Sequence, residues 1–286
     1  MSDGETRGKE VNSSYNLRKR RKSPFDQHRR RRRIRWPREN DFATLAFQKS
    51  VSRYPSLEYL RAKNSAHEWN LTERWRKRIE SRTRKQSKSP YWFLYRRHLI
   101  TASSSGKIYR HIKNDRLRQA GASIEKFFSG NLFCIPAIAW GVLKEGVARD
   151  EVRTLLGKNF RVTEHGMIIS KRFSYIACSP DGIIRNLSTG ETILLEIKCP
   201  YSARNTKISE ANLPYLDSNL NLRSTSDYFS QIQVSMECIG VNSCLFYIYS
   251  PRGSSYCYVK KNQKYIDDCY QVYEDYYVNF YIPSVL

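Results

Sequence analysis

Paired cysteines at metal-ligand spacing are missing from this chain. Its seven cysteines, at 134, 178, 199, 238, 244, 257 and 269, include no C-x-x-C pair. An odd, dispersed set argues against a disulfide framework and a zinc site, and reads as reduced thiols. Also missing is any apolar run near the roughly 18 residues that a bilayer span requires. The N-terminus has no apolar core of the kind a secretory signal carries. The expectation is a soluble intracellular protein without a membrane partner. Acidic residues are the third shortage: 27 Asp+Glu stand against 50 Lys+Arg, a formal net charge of +23 over 286 residues. That imbalance leaves the fold open but favours a polyanionic partner, DNA or RNA foremost.

The excess charge is concentrated at one end. Residues 1–90 hold 26 basic and 10 acidic residues, and residues 91–286 hold 24 and 17. Three segments are expected. Residues 1–40, with the tracts Arg18 to Lys22 and Arg29 to Arg33, combine low hydrophobicity with high charge and predict a disordered tail. Such tracts fit nuclear import or nucleic-acid binding, and equally an unspecific solvated tail. Residues 41–90 form a basic extension with a helix predicted from Asn70 to Arg84, either a DNA-contacting arm or a charged surface helix. Residues 91–286 have the texture of a globular domain.

Within that domain, residues 91–113 read as helical pieces with a turn around Thr101 to Gly106. A long helix is predicted from Ala137 to Leu156, closed by Gly157. Strands follow at about 161–169, 173–178, 183–185 and 192–198. Residues 201–226 read as an irregular loop, and Asp227 as the N-cap of a helix ending at Gly240. Strands at 243–250 and 255–260 precede a helix at 263–280. This order predicts an α/β (α+β) fold with one central mixed β-sheet flanked by helices.

The chemistry is concentrated in two short segments. Ser179-Pro180-Asp181-Gly182 reads as a turn feeding Ile183-Ile184, and Asn186 to Gly190 reads as the tip of a hairpin. The returning strand is Thr192 to Lys198. Side chains alternate along a strand, so Glu196 and Lys198 project together while Ile197 turns into a core. The hairpin brings Asp181 beside Glu196. Two hard oxygen ligands with room for water suit Mg²⁺ or Mn²⁺, and the neighbouring lysine can hold or activate that water. Glu145, on the long helix with Gly141 and Ala148 as small residues for close approach to a sheet, reads alone as a surface carboxylate. Tyr228, Gln231 and Ser235 share one helical face. Gln231 could orient a water or a phosphate oxygen, or simply bond to solvent.

Taken together these pieces resemble the YqaJ-type viral recombinase nucleases of the PD-(D/E)xK superfamily, of which phage lambda exonuclease is the best-known member. The resemblance runs in order through Trp92, Arg96 and Ile100-Thr101-Ala102-Ser103, then Trp140-Gly141, Glu145 and Ala148. It continues through Ala177-Cys178-Ser179-Pro180-Asp181-Gly182, Leu195-Glu196-Ile197-Lys198-Cys199-Pro200 and Tyr228, Gln231-Ile232-Gln233, Ser235-Met236. It implies a restriction-endonuclease-like core and a 5′-to-3′ exonuclease on duplex DNA ends, giving 5′-phosphate products in recombination and repair. The implied metal ligands are Asp181, Glu196 and the Ile197 carbonyl, with Glu145 sharing a second Mg²⁺ or Mn²⁺ with Asp181. Lys198 would polarise the attacking water and Gln231 would help to hold it. Arg96, Ser103 and Ser179 would cradle a 5′-phosphate. The same resemblance leaves room for a single-strand annealing protein as partner and for a homo-oligomer. Competing readings are an endonuclease of a mobile element on this fold, a DNA-binding module on a decayed nuclease, and a chromatin binder acting through the tail. The arginine tracts add an expectation of nuclear localisation.

Overall fold

The computed structural model describes residues 71–96, 99–114 and 135–281. The tail expected to be disordered, both arginine tracts and Cys134 lie outside them. All described residues belong to one unit, 36–286.

Among the described residues the expected central mixed sheet forms, and a second, smaller sheet forms as well. The larger has five strands: β2 (Phe160–Thr163), β5 (Gly182–Asn186), β6 (Thr192–Lys198), β7 (Ser243–Ile248) and β8 (Ser255–Lys260), in the order β2-β5-β6-β7-β8. β6 and β7 run parallel and the other neighbours antiparallel, so this is the mixed central sheet. The smaller joins β1 (Ile100–Thr101), β4 (Ile176–Cys178) and β3 (Ile168–Ile169) in the order β1-β4-β3. The strand expected over 161–169 is therefore two strands in different sheets. Its middle is diverted at Gly166, where an added Cβ would lie 2.0 Å from the Glu80 carbonyl oxygen.

That close approach comes from α1 (Glu73–Thr83), the helix expected in the basic extension. It is not a free surface helix. Thr83 Oγ1 accepts from Met167 N at 2.7 Å, and the Arg76 guanidinium donates to the Ile169 carbonyl at 2.9 Å and to Ser174 Oγ at 3.1 Å. A 3₁₀ turn (Gln86–Lys88) leads to α2 (Pro90–Arg96). The turn expected at Thr101 to Gly106 is instead the start of α3 (Ala102–Lys113), because Thr101 N donates to Ser104 Oγ at 3.2 Å and so caps a helix. Gly106 is needed there: a Cβ would lie 2.9 Å from the Asp227 Cα.

α4 (Pro136–Leu156) and α5 (Asp227–Ile239) cover opposite faces of the large sheet. Ala148 and Val152 pack with Ile184, Leu195, Ile197 and Leu245 on one side. Ile232 and Met236 pack with Leu194, Cys244, Phe246 and Ile248 on the other. Leu194 and Leu195 are fully buried on these two faces, as period-two alternation requires. Each such side chain contributes about 1.5–3 kcal/mol. Helix α5 is capped by Ser226, whose Oγ accepts from Phe229 N at 3.2 Å, and not by the expected Asp227, which opens the helix and pairs with Arg110 at 2.7 Å. The loop over 201–226 is irregular yet partly core: its own Ala203, Ile208, Leu213 and Leu216 are buried. α6 (Gln263–Tyr276) closes the fold and ends in one π-helical turn, Tyr277–Tyr281. The six described cysteines are free thiols.

Candidate active site

The hairpin does what the spacing demanded. Gly182 pairs with Leu195 and Ile183 with Leu194, so Asp181 emerges beside the last residues of β6. Asp181 Oδ2 accepts from Ile197 N at 2.7 Å. On the α5 face of β6, Lys198 Nζ donates to Glu196 Oε1 at 2.6 Å and to Gln231 Oε1 at 3.4 Å, and Gln231 Nε2 also donates to Glu196 Oε1. The ammonium lies 4.6 Å from the centre of the Tyr228 ring, a cation–π contact. Tyr215, from the 201–226 loop, meets Tyr228 edge-on at 4.9 Å. Glu145 reaches the same cleft from α4. The cleft, of about 360 Å³, is lined by Glu145, Asp181, Glu196, Ile197, Lys198 and Gln231 together with Arg96, Ser103 and Ser179. All nine residues expected from the sequence to act at the site thus line one cleft. Gly141 also lines it, and a Cβ there would meet nothing within 4 Å, so of the two small residues Ala148 alone serves the helix–sheet contact.

Burial dominates the electrostatics of the acidic wall. It pushes Glu196 up to about 8, reinforced by Asp181 and resisted by Lys198. It pushes Glu145 up to about 7, again reinforced by Asp181 and resisted by Arg149. Asp181 moves in the same direction from the same cause, with Lys198 opposing. Burial alone would lower Lys198, but Glu196 and Asp181 outweigh it, so the amine is held protonated. Three carboxylates crowded in one cleft repel one another, and burial, deepest at Glu196, leaves them less solvated than in water. A divalent cation would offset that cost.

The donor set fits such a cation. Among the described residues, no group of three or more His, Cys, Asp or Glu side chains is gathered closely enough to hold an ion alone. Asp181 and Glu196 with the Ile197 carbonyl make a mixed set of hard oxygens, the kind Mg²⁺ accepts while keeping several waters.

The opposite wall is cationic and hydroxylic. Arg96 is buried at 8 % exposure, and no ion pair forms on it among the described residues. Its Nη2 donates to Ser103 Oγ at 2.9 Å, and its guanidinium stacks 4.1 Å from the Trp92 ring centre. Desolvation pushes it down to about 10, so it stays charged at neutral pH. Trp92 Nε1 donates to Ser179 Oγ at 2.8 Å. A desolvated guanidinium with hydroxyls beside it and no carboxylate partner among the described residues is suited to a phosphate.

Some functional positions carried no assignment from the sequence. Arg149 is the clearest: its Nη2 bonds Glu145, its Nη1 pairs with Glu164 at 3.1 Å, and its Nε donates to the Asp181 carbonyl at 2.8 Å. Its spacing of four from Glu145 on a helix was the available signal. Gln86, which donates to the Pro180 carbonyl at 2.9 Å, left no such trace.

The sequence model of the YqaJ-like viral recombinase domain matches residues 91–242. The chain belongs to that family. The match spans the elements from α2 to α5 and so contains both walls of the cleft. Over 159 residues the chain is 28% identical to the alkaline nuclease of Autographa californica nuclear polyhedrosis virus, a stretch that is 51% of this chain and 33% of that protein. The chain thus spans a third of the relative it matches. The fold is similar to an alkaline exonuclease (LHK-Exo) from Laribacter hongkongensis, with TM-score 0.50 and 19% identity, over 68% of this chain and 94% of that one. It is similar also to the protein in a SOX–DNA complex, with TM-score 0.50 and 13% identity, over 83% and 82% of the two chains. These likenesses show the fold alone, which is restriction-endonuclease-like. Among the described residues, no helix is long and apolar enough to cross a membrane.

Proposed function

We propose that this protein is a divalent-metal-dependent deoxyribonuclease acting as a 5′-to-3′ exonuclease on duplex ends, in DNA recombination and repair. The observation that carries this reading is one cleft with a carboxylate–lysine wall facing a buried arginine that has no acidic partner among the described residues. Asp181, Glu196 and the Ile197 carbonyl would hold Mg²⁺ or Mn²⁺, and Glu145 with Asp181 would hold a second ion. Bound there, the cation supplies Lewis acidity for the attacking water and for charge on the phosphoryl and leaving oxygens. Lys198, protonated and braced by Glu196, Gln231 and Tyr228, orients the attacking water with its N–H donors. Arg96 and the Ser103 and Ser179 hydroxyls hold a terminal 5′-phosphate, which sets the scissile bond over the acids by counting from the end. The product is a 5′-phosphorylated nucleotide and a new 5′ end for the next cycle.

Mixed acids and a cleft open to solvent distinguish this from a pure DNA binder, which gains nothing from carboxylates against a polyanion. The decisive assay offers 5′-phosphorylated linear duplex, 5′-hydroxyl duplex, supercoiled circle and RNA, each with Mg²⁺ or EDTA. Degradation of the phosphorylated linear duplex alone, abolished by EDTA, is expected. Cutting of the circle would favour the endonuclease reading, and no cutting of any DNA would remove the enzyme. The segmentation at 40 and 90, delivery to the nucleus by the arginine tracts, an annealing partner and self-assembly belong to the same proposal. A full-length fluorescent fusion that stays outside the nucleus would remove the nuclear element.

A further inference from the structure

The Ser179-Pro180-Asp181 turn is pinned at every residue. Trp92 holds the Ser179 hydroxyl, Arg149 holds the Asp181 carbonyl, and Ile197 N holds the Asp181 carboxylate. Those three holders lie within residues 91–242, the family domain. The fourth does not. Gln86 Nε2 donates to the Pro180 carbonyl at 2.9 Å, gripping the peptide group that leads into Asp181. The same amide donates to the His165 carbonyl at 3.3 Å, in the β2–β3 connection that α1 holds through Glu80 and Thr83. Gln86 also lines the cleft. Its backbone stands at φ +42°, a left-handed conformation that a glutamine adopts only where its surroundings compel it, and that clusters at functional sites.

We propose that Gln86 is a positioning residue for Asp181, so that the working cleft includes a segment outside the family domain. The inference rests on the reading of Asp181 as a cation ligand. The gripped carbonyl is one peptide bond from the carboxylate's own Cα, so slack there shifts the ligand directly. A misplacement of about 1 Å can cost on the order of a hundredfold in rate.

Strain and hydrogen bonding act oppositely on stability here, which separates positioning from simple stapling. Gln86→Gly removes the amide and relieves the strain; Gln86→Ala removes the amide and keeps the strain. Full-length wild type and both variants are assayed on 5′-phosphorylated linear duplex across a Mg²⁺ series, with melting temperatures and calorimetric Mg²⁺ affinity. The expected result is kcat lower by about ten- to a hundredfold in both, with KM for DNA little changed. Mg²⁺ affinity weakens, and Gln86→Gly melts within a few degrees of wild type. Unchanged kcat and Mg²⁺ affinity in Gln86→Gly overturn the inference, and so does a loss of kcat that tracks a large fall in its melting temperature. If Gln86→Ala does not fold, Gln86→Gly decides alone. A wild type that binds Mg²⁺ but cuts nothing sinks the nuclease reading; the affinity difference between wild type and Gln86→Gly still tests the positioning.

Discussion

The two walls of the cleft share one physical condition and answer it with opposite charge. On the hairpin side, burial drives Glu196, Glu145 and Asp181 toward their protonated forms, with Lys198 and Arg149 holding part of the charge. On the α2–α3 side, burial drives Arg96 the other way, toward its neutral form, with no anion to hold it among the described residues. Both walls are therefore charged less comfortably than they would be in water: three acids share Lys198 and Arg149, and among the described residues no acid pairs with Arg96. On the proposed function, a cation at one and a phosphate at the other would relieve both strains together. The contrast explains why these groups stay buried although the fold would be easier to make without them.

The comparison breaks most severely at Lys198. Lys198→Ala removes the donor for the water and leaves Glu196 without its ammonium, so the rate is expected to fall about 10²–10⁴-fold. Single-turnover cleavage on phosphorylated duplex measures it; a variant that cuts at the wild-type rate contradicts the assignment. The opposite wall is tested by Arg96→Gln. Loss of charge-assisted bonds worth about 1.5–3 kcal/mol should cut the preference for 5′-phosphate over 5′-hydroxyl ends about ten- to a hundredfold. Metal affinity should be unaffected, and an unchanged end preference would remove Arg96 from the phosphate cradle.

The smallest effect sharpens the contrast through pH. Glu196 lies at about 8 in the folded protein against an ordinary 4.5. The folded state therefore keeps a proton that the unfolded chain has already released. Stability of the cation-free protein should accordingly be highest below that ordinary value and fall as pH rises through the window. Glu145 adds the same sign. Saturating Mg²⁺ at about a hundredfold over its Kd restores about 2.7 kcal/mol. Glu196→Gln should flatten the slope. Thermal melts between pH 5 and 8.5 that show no decline without Mg²⁺ would argue that the acids are not crowded as described.

Much of this was legible beforehand because it is local. The β5–β6 hairpin follows from its turn residues at Ser179 to Gly182 and Asn186 to Gly190. The sharing of a face by Glu196 and Lys198 follows from strand alternation, and the meeting of Tyr228, Gln231 and Ser235 from helical spacing. Illegible features depend on contacts distant in sequence. The diversion of 161–169 into two sheets requires Glu80 against Gly166. The serines after Thr101 read as a turn because their capping role appears only once α3 is packed. Residues 201–226 look solvated in composition, yet Leu213 and Leu216 fill space under the sheet.

By itself the order of residues determined the chemistry on offer: which acids, which lysine, which strand brings two of them to one side, and a surplus of positive charge that seeks a polyanion. Tertiary structure decided how strongly those groups are perturbed and what holds them. Burial depth, the Arg149 clamp on Glu145 and the Asp181 carbonyl, and the Gln86 grip on Pro180 depend on the approach of segments far apart along the chain. Propensity and alternation act over a few residues, whereas desolvation and long-range hydrogen bonds exist only after those segments have met.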